Sequence, residues 1–123
     1  MVGYDISAYA IGEAQIRHPG ITFQQGDAVS MPFPNNSFNL VVSSRVTTCM
    51  PDIDTLKDLI REVRRKVKAQ GVTYILEDLN NIHYFTITEE QWQIEVDALF
   101  PGKDVEVLLV GHRLPSDVRI VVT

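Results

Sequence analysis

Asp5, Ile6, Asp27, Ala28, Ser43 and Ser44 sit where strand-like runs give way to loops or helices. A carboxylate at Asp5, closing a short apolar run, can accept both hydroxyls of a ribose. The Asp27 carboxylate can accept the exocyclic amine of a purine, and the Ala28 amide beside it can donate to a ring nitrogen. Ser43 and Ser44 end a longer apolar run, at the carboxyl end of a strand, where open α/β sheets place ligands. Each residue also has a plainer use. Asp5 can be a helix N-terminal charge favoured by the dipole, Asp27 a turn residue, and the serines ordinary strand-end polarity.

Candidate general bases are His83, Asp78 and His18. None has a partner recognisable from sequence, so no catalytic residue is assigned, and a loop histidine is ordinarily solvated. No metal-ligand set is read from the chain. The one cysteine, Cys49, excludes an internal disulfide and reads as a small, semi-buried residue rather than a nucleophile. It fits a reducing cytoplasm.

The positioning elements follow from local pattern. Ser7 caps a predicted helix over residues 8–17, with Ala8, Ile11 and Ala14 as a stripe of small and apolar residues. His18-Pro19-Gly20 stops it. Residues 21–25 read as a strand. Met31-Pro32-Phe33-Pro34-Asn35-Asn36-Ser37 is an extended polar loop with a turn at the asparagines. Residues 38–44 are a near-continuous apolar run, the pattern of a parallel strand buried on both faces. Leu56, Leu59, Ile60, Val63 and Val67 mark the clearest helix, with Asp54 as its cap. Gly71 ends that segment and residues 72–78 form another buried strand. Helix and strand alternate here, as in a parallel sheet covered by helices.

The later pattern differs. Residues 80–85 form a loop. Thr88-Glu89-Glu90-Gln91 has capping-box spacing, and Trp92, Val96, Leu99 and Phe100 give the next helix its stripe before Pro101-Gly102. Residues 105–110 and 118–122 are β-branched runs joined too closely for a crossover, so they pair antiparallel.

With 123 residues, 45% of them apolar, the chain is one domain with a real core. No apolar run reaches the roughly 20 residues of a membrane span, and no secretory signal is evident. The net charge of −5 argues against nucleic acid or anionic lipid as partners. Arg61, Arg64, Arg65, Lys66 and Lys68 cluster on one helix with Asp58 and Glu62. Glu62 and Lys66 form a favourable i,i+4 pair. The cluster reads as a solvated helix face rather than a phosphate-binding patch.

Several motifs together resemble the class I S-adenosylmethionine-dependent methyltransferases, especially the small-molecule group that includes ubiquinone and menaquinone biosynthesis enzymes. Gly3-Tyr4-Asp5-Ile6-Ser7 is similar to the family's Gly-x-Asp-x-Ser at the end of its second strand. Gly26-Asp27-Ala28, with residues 31–39, resembles its Gly-Asp-Ala-x-x-Leu-Pro-Phe-x-Asp-x-Ser-Phe-Asp. Residues 62–71 resemble its Glu-x-x-Arg-Val-Leu-Lys-Pro-Gly-Gly. The resemblance implies a Rossmann-like α/β core, mostly parallel, with a C-terminal antiparallel hairpin. It implies S-adenosylmethionine as cofactor, with Asp5 at the ribose, Ile6 among the cofactor-binding residues, Asp27 and Ala28 at adenine, and Ser43-Ser44 near the sulfonium and acceptor. Methyl transfer from a sulfonium is an in-line displacement, so such a protein mainly positions and desolvates. A base is needed only for a protonated acceptor.

The chain departs from the family in three places. Lys68-Ala69-Gln70-Gly71 replaces Lys-Pro-Gly-Gly, and Asn39 replaces an acid; both are minor. The family's first strand, Glu/Asp-x-Gly-x-Gly-x-Gly loop and first helix do not appear. That strand is central, between the second and fourth, and each buried backbone group left unpaired costs on the order of 1–3 kcal/mol. The expectation is therefore that the flanking strands close on each other or that another chain fills the gap, either way through an exposed sheet edge. Residues 1–123 read as a single truncated methyltransferase-like domain, or a fragment of a longer one. It would act on a small-molecule acceptor in the cytoplasm with weak or no activity alone. The alternative is a non-catalytic protein acting through homo-oligomerisation or partner binding. A weaker third reading is a different nucleotide held by Asp5 and Asp27.

Overall fold

The computed structural model describes residues 1–46, 49–78, 89–102, 105–109 and 117–122. Contacts divide the chain into two units, Met1–Pro32 and Phe33–Thr123, each described by itself.

The first unit is a βαβ turn of chain. Strand β1 (Val2–Asp5) leads to helix α1 (Ala8–Arg17) and back to strand β2 (Thr22–Gln25). The strands pair in parallel, Val2 opposite Thr22 through Asp5 opposite Gln25. Ser7 is extended and its hydroxyl accepts the Ala10 amide at 3.1 Å, as the sequence predicts for a cap. Arg17 is the last helical residue, and the His18 amide donates back to the Ala14 carbonyl. His18 thus serves the helix stop. Helix α1 packs on both strands, and Ile11 is its buried residue.

The second unit carries a four-stranded sheet in the order β3-β4-β6-β5. Strands β3 (Phe38–Ser44) and β4 (Val67–Asp78) are parallel, while β6 (Asp117–Val122) runs antiparallel to β4 and to β5 (Val105–Leu109). The hairpin predicted from the β-branched runs is therefore present. Helix α2 (Ile53–Lys66) joins β3 to β4, and helix α3 (Glu89–Leu99) precedes the hairpin. The core clusters Leu56 and Ile60 of α2, Ile75 of β4, and Trp92, Val96, Leu99 and Phe100 of α3 and its exit. The apolar spacing of both helices found all of these but Ile75, which the sequence places in the strand over residues 72–78. Thr88 and residues 80–85 lie outside the described residues.

Several expectations need correction. The cap of α2 is Asp52, not Asp54. Asp52 is extended, and its Oδ1 accepts the Thr55 amide at 2.7 Å and the Thr55 hydroxyl at 2.8 Å. These bonds hold its carboxyl below the usual carboxylate range. Asp54 lies within the first turn.

Strand β3 is not buried on both faces. Leu40 and Val42 are 56% and 57% exposed, while Ser43 is buried.

The basic helix face is only partly solvated. Glu62 is 4% exposed and Lys66 8%. Glu62 carboxylate oxygens stand 3.3 Å from both Lys66 and Arg65, and Lys66 Nζ also donates to Asn35 Oδ1 at 3.1 Å. The charges are buried because the residue 34–37 turn folds over the end of α2. Asn36 and Ser37 amides donate to the Arg65 and Lys66 carbonyls, both at 2.9 Å.

Cys49 is exposed rather than semi-buried, with Sγ 3.5 Å from the Arg45 carbonyl oxygen. Finally, β4 begins at Val67, directly after α2, earlier than the sequence predicts.

Candidate functional site

Parallel pairing of β1 and β2 sets their carboxyl ends side by side, and so brings Asp5, Ile6, Asp27 and Ala28 together. The Gly26 amide donates to the Asp5 carbonyl at 2.9 Å. The Gln25 side-chain amide donates to the Ile6 carbonyl at 3.1 Å. The Tyr4 hydroxyl donates to the Asp27 carbonyl at 3.3 Å. These bonds tie the two strand exits to each other.

The tie depends on Gly26. A Cβ there would run into the Tyr4 ring, so only glycine lets that ring pass over the loop to reach Asp27. Tyr4 and Gln25 were not singled out from sequence. The signal available was their place beside the two acidic strand exits.

Both acids are oriented by their own turns. Asp5 Oδ1 accepts the Ser7 amide at 2.8 Å, and Asp27 Oδ1 accepts the Val29 amide at 3.1 Å. Such turns are the habit of aspartate in loops. They leave the second oxygen of each carboxylate without a partner among the described residues, and the Ala28 amide likewise donates to none of them. Ile6 is 68% exposed next to Asp5. The free groups are thus two carboxylate oxygens, one backbone donor and an apolar surface. That set fits a ribose and a purine: hydroxyls and an exocyclic amine donate, a ring nitrogen accepts, and a flat ring needs an apolar neighbour.

Ser43 and Ser44 lie in the second unit, at the carboxyl end of β3. Ser44 is exposed. Ser43 is 8% exposed, and its hydroxyl has no hydrogen-bond partner among the described residues. Arg45 follows with φ 56°, in the left-handed region, and its amide donates to the Leu76 carbonyl at 2.8 Å. Asp78 is the last residue of β4. His83 lies outside the described residues. Among the described residues no group of three or more His, Cys, Asp or Glu could hold a metal ion, and no helix is long and apolar enough to cross a membrane.

Parallel strands with helical crossovers and acids at their carboxyl ends define a Rossmann-like core of the class I S-adenosylmethionine-dependent methyltransferase type. Solved structures agree on the fold. A TehB-like S-adenosylmethionine-dependent methyltransferase from Corynebacterium glutamicum superposes with a TM-score of 0.78 at 16% identity, covering 99% of this chain and 66% of that one.

Residues 1–75 match the methyltransferase domain family, and the chain belongs to that family. It is 30% identical over 122 residues to sterol 24-C-methyltransferase ERG6B of Gibberella zeae, covering 94% of this chain and 31% of the relative. It is also 30% identical over 79 residues to demethylmenaquinone methyltransferase of Chlorobaculum parvum, covering 64% of this chain and 32% of the relative. The chain thus spans about a third of the length of these curated relatives. The cosubstrate of the family is S-adenosylmethionine.

Proposed function

We propose that this chain provides the adenosyl-binding part of a methyltransferase that uses S-adenosylmethionine on a small-molecule acceptor. The observation that carries the reading is the joining of Asp5 and Asp27 at adjacent strand exits, each with a carboxylate oxygen to spare. Asp5 would accept ribose hydroxyls, Asp27 the adenine amine, and the Ala28 amide would donate to an adenine ring nitrogen. Ile6 would cover the ring. When bound, the cosubstrate supplies a methyl group already activated by positive sulfur. The residues named here bind and orient the adenosine. In the second unit, Ser43 keeps a buried hydroxyl with no partner among the described residues. The names of the relatives, a sterol and a demethylmenaquinone methyltransferase, favour an apolar acceptor.

The test is amide-resolved NMR of the isotope-labelled chain titrated with S-adenosylhomocysteine. Saturable shifts confined to residues 5–7 and 26–29, abolished by Asp5→Ala, are expected. Shifts absent from both segments would defeat the proposal.

A second reading has its own support. Among the described residues strand β3 has a ladder partner on one side only, and Leu40 and Val42 stand exposed on it. Such an edge favours strand addition. The chain would then act by self-association or by holding a partner, without catalysis. Light scattering that shows a stable dimer, together with silent amides in the titration above, would favour this reading.

A further inference from the structure

The basic turn at the end of α2 borders a cavity that the strand-exit chemistry does not use. It has a volume of about 230 Å³ and lies beside the first half of β4, lined by Arg64, Val67, Lys68, Thr73, Phe100 and Pro101 among others. Ser43 and Ser44 are at the opposite end of the same sheet. Val67, Thr73 and Phe100 are buried, while Arg64, Lys68 and Pro101 are exposed.

Two features point to a ligand. First, Thr73 is 1% exposed and its hydroxyl has no partner among the described residues. A buried hydroxyl left unpaired is costly, so native proteins seldom keep one without a use. Second, Arg64 and Lys68 form no ion pair among the described residues. The nearby acids are committed elsewhere, Asp58 to Arg61 and Glu62 to Arg65 and Lys66.

The two cations are not needed to cap α2 either. The amides of Asn36, Ser37 and Val67 already occupy the carbonyls of Arg65, Lys66 and Val63. Two uncommitted cations, an unpaired buried hydroxyl and an apolar floor therefore share one small cavity.

We propose that this cavity binds a small amphipathic anion, a short-chain carboxylate. Its head would lie between Arg64, Lys68 and the Thr73 hydroxyl, with its carbon chain on Val67 and Phe100. A guanidinium and a carboxylate match as a planar, charge-assisted pair. The apolar floor disfavours a fully hydrated anion such as phosphate. The size suits a ligand of a few heavy atoms rather than a nucleotide. The site is independent of the adenosyl-binding reading.

The experiment is an NMR titration of the isotope-labelled full chain with sodium butyrate, sodium phosphate and neutral butyramide at constant ionic strength. Butyrate is expected to give saturable shifts at the Lys68, Gly71 and Thr73 amides, phosphate to bind more weakly, and butyramide not to bind. Arg64→Gln and Lys68→Gln change exposed side chains, so folding should be intact, and each should weaken butyrate roughly tenfold. Thr73→Val keeps the size, should weaken butyrate severalfold, and should leave the free protein at least as resistant to urea. The proposal is overturned by butyramide binding as well as butyrate, by phosphate binding more tightly, by charge variants that bind normally, or by no saturable shift.

Discussion

Residues 1–32 bury one side chain, Ile11, whereas the second unit buries an apolar cluster of residues between Leu56 and Phe100 and a pair of charges, Glu62 and Lys66. The first unit is held by a short parallel ladder and by polar links at its strand exits, from Tyr4, Gln25 and Gly26. The second is held by apolar packing around Trp92. The acids proposed to hold adenosine thus sit on the lightly packed unit, and the larger apolar core lies in the other. Ligand-binding elements are commonly drawn from the less stable parts of a fold, and the proposed site follows that rule.

The sharpest challenge to this contrast compares core truncations. Trp92→Ala should cost about 3–5 kcal/mol and Ile11→Ala only about 2 kcal/mol, followed by far-ultraviolet dichroism in urea. Equal losses would erase the distinction. Charges offer the next comparison. Glu62→Gln strips the buried partner from Lys66 and should cost about 3 kcal/mol. Glu13→Gln breaks the exposed pair with Arg17, 3.5 Å apart, and should cost less than about 0.5 kcal/mol.

Glycines sharpen it further. A Cβ at Gly71 would lie 2.8 Å from the Asn39 carbonyl oxygen, a backbone atom that cannot step aside. Gly71→Ala should therefore cost about 1–3 kcal/mol. Gly12 lies inside α1 with open space at its Cβ position. Gly12→Ala should stabilise by about 0.5–1 kcal/mol, and thermal melts would show opposite signs.

The smallest effect concerns acid. The Asp52 carboxyl is held low in the folded state, so its contribution is present above the ordinary carboxylate pKa and is lost as pH falls through the folded value. Asp52→Asn can still cap but cannot titrate. Its stability should fall less than that of the parent between roughly pH 5 and pH 3. Urea midpoints across that range would show it.

Much of this arrangement is legible in the sequence. Helix spacing finds Leu56, Ile60, Trp92 and Val96, and the motifs around Asp5 and Asp27 mark strand exits that the structure places side by side. Tertiary choices are not legible. An apolar run does not say that Leu40 and Val42 will be left open, because that depends on what covers the sheet. Asp52 and Asp54 are equal caps by residue type, and only backbone conformation separates them. Charge spacing pairs Glu62 with Lys66 but cannot reveal that the asparagine turn buries them. Tyr4 looks like any strand aromatic until Gly26 is seen to make room for its ring.

The seam between β3 and β4 bears on how this protein can change length. One strand advances from Val67 to Val72 while the other advances from Phe38 to Leu40. Residues gained or lost between Val67 and Gly71 leave the inward alternation of Thr73 and Ile75 in register. A single-residue insertion just after Val72 would instead turn those side chains outward. Lineages of this fold should therefore tolerate indels on one side of Val72 and purge them on the other.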